Sequence, residues 1–286
     1  MKYITYSDMA ATIRRNIWKV PHDVDLIVGI PRSGMIAALM IAELTNRRVA
    51  DIDTFIEGHT MDNGGRGKYI PNNPIKKVLV VDDTVYAGSA ISKARKKLSP
   101  ISNQYTIIYG CVFAEGEHSR NLVDMFFEYN YDPKETLYLY EWNIMSHYEH
   151  KAQLIMFDLD GVLCKEPPSD KDTKAYEEYL PNAIPMIVPT TRIGGICTYR
   201  LEKYRQVTEQ WLERYNIRYG SMKMINATYE DRRNINSSSY KAEWYARSEW
   251  AQLFIESDPF QAPVISRLSK KPVYCYENNI MYTYKL

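Results

Sequence analysis

The segment Val78–Ala90 (VLVVDDTVYAGSA) contains an apolar run, two adjacent acids and a small-residue loop, in that order. The carboxylates of Asp82 and Asp83 can accept hydrogen bonds from a vicinal diol. A loop of backbone N–H groups that leads into a helix N-terminus suits a phosphate monoester. Because ligands of open α/β sheets bind beyond the carboxyl ends of strands, this segment offers sites for a 5-phosphate and for 2- and 3-hydroxyls. An acidic strand end before a glycine turn also occurs in many folds without such a role.

The complete run resembles the signature with which type I phosphoribosyltransferases bind 5-phosphoribosyl 1-pyrophosphate (PRPP). The resemblance covers roughly residues 1–148. It implies that Asp82 and Asp83 are catalytic residues at the ribose and that the following loop binds the 5-phosphate. Two alanines, Ala87 and Ala90, stand where the family commonly has hydroxyl residues, which leaves one threonine, one serine and backbone amides as donors. The residues of this predicted phosphate loop are Thr84, Val85, Tyr86, Ala87, Gly88 and Ser89.

A second turn, Val28–Gly34 (VGIPRSG), also follows an apolar run directly. Arg32 offers a charged donor for phosphate, and the proline and glycine shape a tight turn. By itself such a turn is more often structural. In the family that the chain resembles, this loop holds the pyrophosphate, so the resemblance gives that role to Arg32, Ser33 and Gly34.

The stretch Glu57–Asn73 is rich in glycine and polar residues and is too long for a tight connection. Long loops of this kind are either functional lids or simply mobile. The resemblance implies a catalytic loop that closes over PRPP, with Arg66 and Lys68 as contacts of the pyrophosphate.

The acceptor in this family is selected by a variable hood. The corresponding stretch here is Phe126–Tyr148, which is rich in tyrosine, tryptophan and glutamate and includes Glu141 and Trp142. It carries no recognisable signature for reading a nucleobase. The resemblance further implies that Mg²⁺ neutralises the pyrophosphate leaving group.

Another acidic motif, Phe157–Cys164 (FDLDGVLC), follows the apolar residues LIM. It resembles the first motif of the haloacid dehalogenase (HAD) phosphatases. The resemblance implies that Asp158 attacks phosphorus to form an aspartyl-phosphate, while Asp160 serves as general acid and base. Gly161 allows the sharp turn between them. The alternative is a DxD pair in a surface turn.

Two further residues match HAD motifs that bind the phosphoryl group. Thr198 directly follows the apolar run Gly195–Cys197, and its hydroxyl would hold a phosphoryl oxygen. The family also needs one lysine to offset charge on that group. Lys241, which opens the predicted helical stretch KAEWYARSEWAQ, is the best placed, and Lys223 is the alternative. By itself a lysine in such a stretch indicates only a solvated helix face.

The strand and acids of Phe254–Pro259 match the fourth HAD motif, with Asp258 as the first choice for Mg²⁺ and Glu256 in support. The predicted metal ligands are Asp158, Asp160, Asp258 and Glu256. The stretch between Asp160 and the second-motif strand is too short for a large cap domain. We therefore expect a lightly capped site that is open to a bulky substrate.

Short apolar runs, each followed by a turn and a helical pattern, recur along the chain and must position these motifs. Continuous apolar runs indicate strands covered on both faces, as in parallel sheets. The predicted strands are Asp25–Ile30, Val78–Val81, Thr106–Phe113, Leu154–Phe157 and Gly195–Cys197, and the helical period is found at Ser89–Leu98 and Leu201–Tyr215. The fold class is therefore α/β, with two domains that are each a mainly parallel sheet flanked by helices. The resemblances place a phosphoribosyltransferase domain at residues 1–148 and a minimally capped HAD-like phosphatase domain at 149–286, with the seam near 146–152.

Composition limits the partners of this 286-residue chain. A formal net charge of +1 gives no electrostatic reason to expect nucleic acid or an anionic membrane surface. No apolar run approaches the roughly 20 residues that span a bilayer. The N-terminus lacks the apolar core of a signal peptide, so we expect a cytoplasmic protein. The four scattered cysteines predict buried, reduced thiols rather than a zinc or disulfide framework.

Together the two resemblances predict sequential action. The first domain would transfer 5-phosphoribosyl from PRPP to an acceptor, and the second would remove the 5-phosphate, with Mg²⁺ in both. An open phosphatase site favours a large acceptor such as a glycan, similar to the paired enzymes that install ribofuranose in bacterial polysaccharides. The alternatives are a nucleobase acceptor, which would give a nucleoside, and a regulator that binds PRPP without transfer.

Overall fold

The computed structural model describes residues 2–61, 64–131, 138–145, 149–167 and 174–284. The chain divides into two compact units, Met1–Ile144 and Met145–Leu286. The predicted seam lies only partly within the described residues, because 146–148 fall outside them.

The first unit alternates strands with helices. Its strands are β1 (Lys2–Ile4), β2 (Leu26–Gly29), β3 (Arg48–Asp51), β4 (Lys77–Val85), β5 (Thr106–Glu115), β6 (Met125–Asn130) and β7 (Tyr138–Tyr140). Its α-helices are α1 (Tyr6–Asn16), α2 (Gly34–Thr45), α3 (Ile52–Ile56), α4 (Ser89–Leu98) and α5 (Glu141–Ile144).

Five parallel strands form the main sheet of this unit in the order β3-β2-β4-β5-β6, and β1 pairs with β7 in a small parallel sheet. Successive side chains of a strand point to opposite faces. In β4, Leu79 and Val81 therefore pack into one core layer, and Val78 and Val80 pack into the other. The continuous apolar run is thus explained by a sheet with both faces covered.

Strands β2 and β4 are neighbours although β3 lies between them in the chain, so the strand order reverses at this pair. The backbone N–H of Ile30, just after β2, donates to Val81 O in β4 at 3.0 Å. Ligands of open α/β sheets bind at such a switch point. The VGIPRSG turn and the two acids of β4 both lie at this point.

The second unit has a similar alternation. Its strands are β8 (Ile155–Phe157), β9 (Ile193–Leu201), β10 (Tyr219–Ile225), β11 (Leu253–Glu256), β12 (Val273–Cys275) and β13 (Ile280–Tyr282). Its α-helices are α6 (Glu149–Ala152), α7 (Lys174–Asn182), α8 (Arg205–Arg214), α9 (Tyr229–Arg232), α10 (Ser237–Arg247) and α11 (Gln261–Ser269).

The sheet of the second unit runs in the order β10-β9-β8-β11-β12-β13. All neighbouring strands are parallel except the pair β12 and β13. The strand order reverses between β8 and β11, where the backbone N–H of Asp158 donates to Ile255 O at 2.9 Å. The acids that follow β8 and those at the end of β11 therefore lie at the same edge of the sheet.

The sequence predicted the α/β class with parallel sheets, but strand β4 is longer than the pattern indicated. It continues through Val85, so Asp82 and Asp83 lie within the strand rather than after it. Pairing with β5 explains the extension, because Asp82 and Thr84 still stand opposite residues of that strand.

The ends of two predicted helices also differ. Helix α10 begins at Ser237 rather than Lys241, because the Asn236 side chain caps it by accepting from Ser239 N at 2.9 Å. Leu201, predicted to open a helix, is instead the last residue of β9.

All four cysteines are buried with free thiols. In the part of the chain that the structure describes, no helix combines the length and apolar character that a membrane span requires.

Candidate functional site

The adjacent residues Asp82 and Asp83 are almost completely removed from solvent, with 6% and 3% of their surface exposed. The backbone N–H of Asp83 donates to Oδ1 of Asp82 at 3.0 Å. Burial, and then the neighbouring charge of Asp83, raises the pKa of Asp82 from 3.8 to about 8. At neutral pH the pair therefore holds a proton and can both donate and accept hydrogen bonds.

Asp83 receives two short hydrogen bonds from distant parts of the first unit. Ser33 Oγ donates to Oδ1 at 2.6 Å, and Trp142 Nε1 donates to Oδ2 at 2.6 Å. The Trp142 ring packs against Tyr140 and Tyr6, with centroids 4.9 and 5.4 Å away. One carboxylate thus contacts both the turn that was predicted to bind pyrophosphate and the segment that was predicted to select the acceptor.

Two glycines let the turns approach the ends of the strands. A Cβ on Gly34 would lie 2.9 Å from Val81 O and 3.0 Å from Oδ1 of Asp82. Gly88 has φ of 70° and stands at the N-terminus of α4, where a Cβ would lie 2.8 Å from a methyl carbon of Leu122. A larger residue at position 34 would clash with β4, and at position 88 it would be strained by the positive φ.

The turn in the structure is shorter than the six-residue phosphate loop that the sequence predicted. Thr84 and Val85 belong to β4, and Ser89 is the first residue of α4, which leaves Tyr86, Ala87 and Gly88 as the turn. The turn leads into the N-terminus of a ten-residue helix, where unpaired backbone N–H groups favour an anion.

Two of the three cations predicted to bind pyrophosphate lie at the surface. Arg32 and Lys68 are exposed, and the Lys68 ammonium lies 5.0 Å from the Tyr69 ring. The Arg66 side chain falls outside the described residues, as do residues 62 and 63 of the predicted lid.

The predicted hood is described only in part, because 132–137 and 146–148 fall outside the described residues. Glu141 lies next to Trp142 in the chain, but its carboxylate accepts from the backbone N–H of Tyr6 at 2.7 Å.

In the second unit, Lys241 lies between two buried carboxylates. Its ammonium is 2.7 Å from Oδ2 of Asp158 and 2.7 Å from Oε2 of Glu256. Burial alone would lower the pKa of Lys241, but the charges of Asp158 and Glu256 raise it overall. Burial also raises the pKa of Asp158, against the opposing effect of the ammonium. Lys223, the alternative lysine, instead lies 4.0 Å over the Trp244 ring.

Asp160 forms a bidentate ion pair with Arg200. Arg200 Nη2 donates to its Oδ1 at 2.6 Å, and Nε donates to Oδ2 at 3.0 Å. The Arg200 side chain is fully buried, and it also contacts Thr208 Oγ1 at 3.3 Å. From the short helix α7, Tyr179 donates to Oδ1 of Asp160 at 3.3 Å. The carboxylate therefore has a fixed orientation.

A cavity of about 110 Å³ joins these groups. This volume has room for a phosphoryl group, so the remainder of a larger ester would extend outside it. Its polar and aromatic lining is Asp158, Asp160, Glu166, Tyr176, Thr198, Tyr199, Arg200, Arg232, Ser237, Lys241 and Gln261.

The four predicted metal ligands do not form a metal site. Asp258 accepts from the backbone N–H groups of Phe260 and Gln261 at the start of α11, and Glu256 is committed to Lys241. Among the described residues, no three His, Cys, Asp or Glu side chains converge as a metal site requires. The structure therefore does not bring the four predicted ligands together at one point.

Sequence reasoning missed the cavity's three other charged residues, Glu166, Arg200 and Arg232. Arg200 could have been found, because it stands two residues after Thr198 in β9 and so points to the same face of the sheet. Glu166 is 3.2 Å from Ser257 Oγ, a contact across 91 residues that no local pattern indicates. Arg232 lies in the charged run YEDRRN, which resembles a solvated surface.

No protein-family model matches the chain, and no curated protein matches it either. Solved structures that are similar to it include an orotate phosphoribosyltransferase from Aeropyrum pernix, at 19% identity over 43% of this chain and 70% of that chain, with a TM-score of 0.32. A Helicobacter pylori xanthine-guanine-hypoxanthine phosphoribosyltransferase is 16% identical over 50% of this chain and 93% of its own, with a TM-score of 0.36. A purine phosphoribosyltransferase from Pyrococcus horikoshii Ot3 is 18% identical over 49% and 92%, with a TM-score of 0.33.

Proposed function

We propose that the chain is a bifunctional enzyme that transfers 5-phosphoribosyl from PRPP to an acceptor and then removes the 5-phosphate. The observation that carries the proposal is the presence in one chain of two different sites at switch points. One is a buried carboxylate pair beside a helix N-terminus, which suits a ribose phosphate. The other is a phosphate-sized cavity with a carboxylate and an ammonium at 2.7 Å.

In the transfer step, the acceptor nucleophile attacks C1 of the ribose, and the bond from C1 to the pyrophosphate oxygen breaks. Asp82 and Asp83 accept hydrogen bonds from the 2- and 3-hydroxyls and stabilise the positive charge that develops on the ring. For Asp83 to do so, a ribose hydroxyl must replace Ser33 or Trp142 as its donor. The N–H groups at the start of α4 bind the 5-phosphate.

In the hydrolytic step, an oxygen of Asp158 attacks phosphorus and the bond from phosphorus to the ribose O5 breaks. Asp160 protonates the leaving oxygen and then takes a proton from the water that hydrolyses the aspartyl-phosphate, which releases inorganic phosphate. To carry a proton, Asp160 must first give up at least one of its two hydrogen bonds from Arg200. Thr198 and Lys241 bind phosphoryl oxygens. Mg²⁺ stays a prediction for both steps, and the predicted carboxylate ligands of the second unit do not converge on one point.

A glycan is the acceptor we favour. The cavity of the second unit holds little more than a phosphoryl group, so the body of the substrate is free to be large. A nucleobase acceptor is supported by a different feature, the aromatic cluster of Tyr6, Tyr140 and Trp142 beside Asp83, since planar bases stack on such rings.

The test uses Asp158→Asn protein with PRPP, Mg²⁺ and a crude cell-envelope glycan extract. Without the nucleophile, the phosphoribosylated acceptor should accumulate and be visible by mass as an added phosphoribose. Wild-type protein should convert that adduct to the ribose adduct, and EDTA added at each step tests the need for Mg²⁺. The double variant D83N/D158N is the control, because it should form no adduct.

The same assay with a panel of nucleobases separates the alternatives. Turnover of any free base would replace the glycan proposal with nucleoside formation. Binding of PRPP without consumption under either condition would favour a PRPP sensor and contradict the transfer step.

A further inference from the structure

Arg232, the last residue of α9, is a buried cation. Only 6% of its surface is exposed. Its guanidinium lies 4.9 Å from the ring centroid of Tyr199 and 5.8 Å from that of Tyr229. Among the described residues, none provides a carboxylate within ion-pair distance of it. Burying an arginine in this way is costly, and arginines are rarely buried unless they are paired.

The other two cations of the same cavity are already compensated. Lys241 is shared between Asp158 and Glu256, and Arg200 forms two hydrogen bonds with Asp160. Of the cations that line the described part of the cavity, Arg232 is thus the one whose charge remains available to a ligand.

The chemistry of the cavity needs such a charge. A phosphate monoester dianion carries two negative charges, and an attacking carboxylate brings a third negative charge close to them. Lys241 alone does not offset this, because its own charge is balanced by two carboxylates. A guanidinium presents a planar set of donors that fits two phosphate oxygens at once.

The fold holds Arg232 in place before any ligand arrives. The Tyr199 hydroxyl donates to the carbonyl of Arg232 at 2.8 Å and to that of Ile235 at 2.5 Å. Tyr199 stands between Thr198 and Arg200 in β9, so the segment that carries Arg232 is fixed to the strand that lines the cavity.

We propose that Arg232 binds the non-bridging oxygens of the phosphate monoester in the second unit and selects dianionic substrates. This inference rests on the proposed phosphatase step and assigns it a specificity residue. The small cavity supports it, because a phosphoryl group that reaches Asp158 lies in the same enclosed space as Arg232.

The experiment measures binding of inorganic phosphate to the full chain by calorimetry, and hydrolysis of p-nitrophenyl phosphate, for wild type, Arg232→Met and Arg232→Lys. Arg232→Met should weaken phosphate binding roughly 10- to 100-fold and raise KM more than it lowers kcat. Arg232→Lys should recover part of the affinity. The matched control is Arg233→Met, which changes an exposed arginine one residue away that contacts the Tyr229 hydroxyl.

Thermal unfolding separates a binding role from a structural one. Without phosphate, Arg232→Met should be at least as stable as wild type, because it removes an unpaired buried charge, and it should lose the stabilisation that phosphate gives wild type. Equal phosphate affinity in wild type and Arg232→Met, or no phosphate binding by wild type, overturns the inference. If wild type binds phosphate through Arg232 but hydrolyses no ester, the inference stands and the phosphatase proposal fails.

Discussion

Trp142 Nε1 lies 2.6 Å from Oδ2 of Asp83, the carboxylate proposed to bind a ribose hydroxyl. The contact joins residues 59 positions apart in the chain. If Asp83 binds the ribose as proposed, Trp142 and a ribose hydroxyl would compete for the same carboxylate oxygen.

Trp142→Phe keeps an aromatic ring but removes the competing N–H. PRPP should then bind more tightly, by up to about tenfold, because one charge-assisted hydrogen bond no longer has to be broken. Transfer to the acceptor should slow, since the ring loses its fixed position. Calorimetry with PRPP checks the first effect, and Trp18→Phe, at a largely exposed tryptophan, is the control. Unchanged PRPP affinity would contradict the competition.

Asp82→Asn should change how stability depends on pH. The pKa of Asp82 is about 8 in the folded chain, against 3.8 as the ordinary value. Between these values the folded chain keeps a proton that the unfolded chain has released, so wild-type stability falls as pH rises through this window. Relative to wild type, Asp82→Asn should gain up to about 1.4 kcal/mol per pH unit from about pH 4 to 8, and nothing further outside it. Urea unfolding at a series of pH values measures this, with the exposed Asp53→Asn as the control.

Lys241→Met should both unfold the chain more easily and stop hydrolysis. It leaves Asp158 and Glu256 buried without their cation, which costs about 3–5 kcal/mol of unfolding free energy. Hydrolysis of p-nitrophenyl phosphate should fall roughly 100-fold or more. Adding Glu256→Gln should restore part of the stability but not the activity. Lys223→Met, outside the cavity, is the control, and an equal loss in that variant would refute the assignment of Lys241.

Arg200→Lys tests whether Asp160 must be oriented by two parallel hydrogen bonds from one side chain. A lysine keeps the charge but cannot form two parallel hydrogen bonds with one carboxylate. The value of kcat should fall roughly tenfold or more while KM changes little, because Arg200 acts through Asp160 rather than on the substrate. Arg205→Lys is a useful comparison, since Arg205 pairs with Glu202 at the surface. A rise in KM without a change in kcat would instead assign Arg200 to substrate binding.

Local patterns predicted much of the fold and part of each site. Buried strands are continuous apolar runs, and the acids near their ends are adjacent in the chain, so Asp82 and Asp158 could be identified from short segments. Lys241 could be chosen because it lies in the helix that precedes the β11 acids, and Lys223 was the one alternative considered. The structure brings its ammonium to 2.7 Å from Asp158.

The remainder depended on contacts that no short segment encodes. Trp142 reaches Asp83 only because the chain returns to the end of β4 after β6. Asp258 has a sequence position that suits a metal ligand, but three nearby donors at the start of α11 hold its carboxylate. Arg232 is buried because it packs against Tyr199. Its charged neighbours in the sequence indicate an exposed segment instead.

The four native thiols have a practical consequence. All are buried, and burial raises the pKa of Cys164 to about 12, so they react slowly with alkylating dyes at neutral pH. A cysteine introduced at an exposed position in each unit, such as Trp18 and Phe260, would therefore carry nearly all the label. Energy transfer between two such dyes would then report whether the distance between the units changes when PRPP or inorganic phosphate is added.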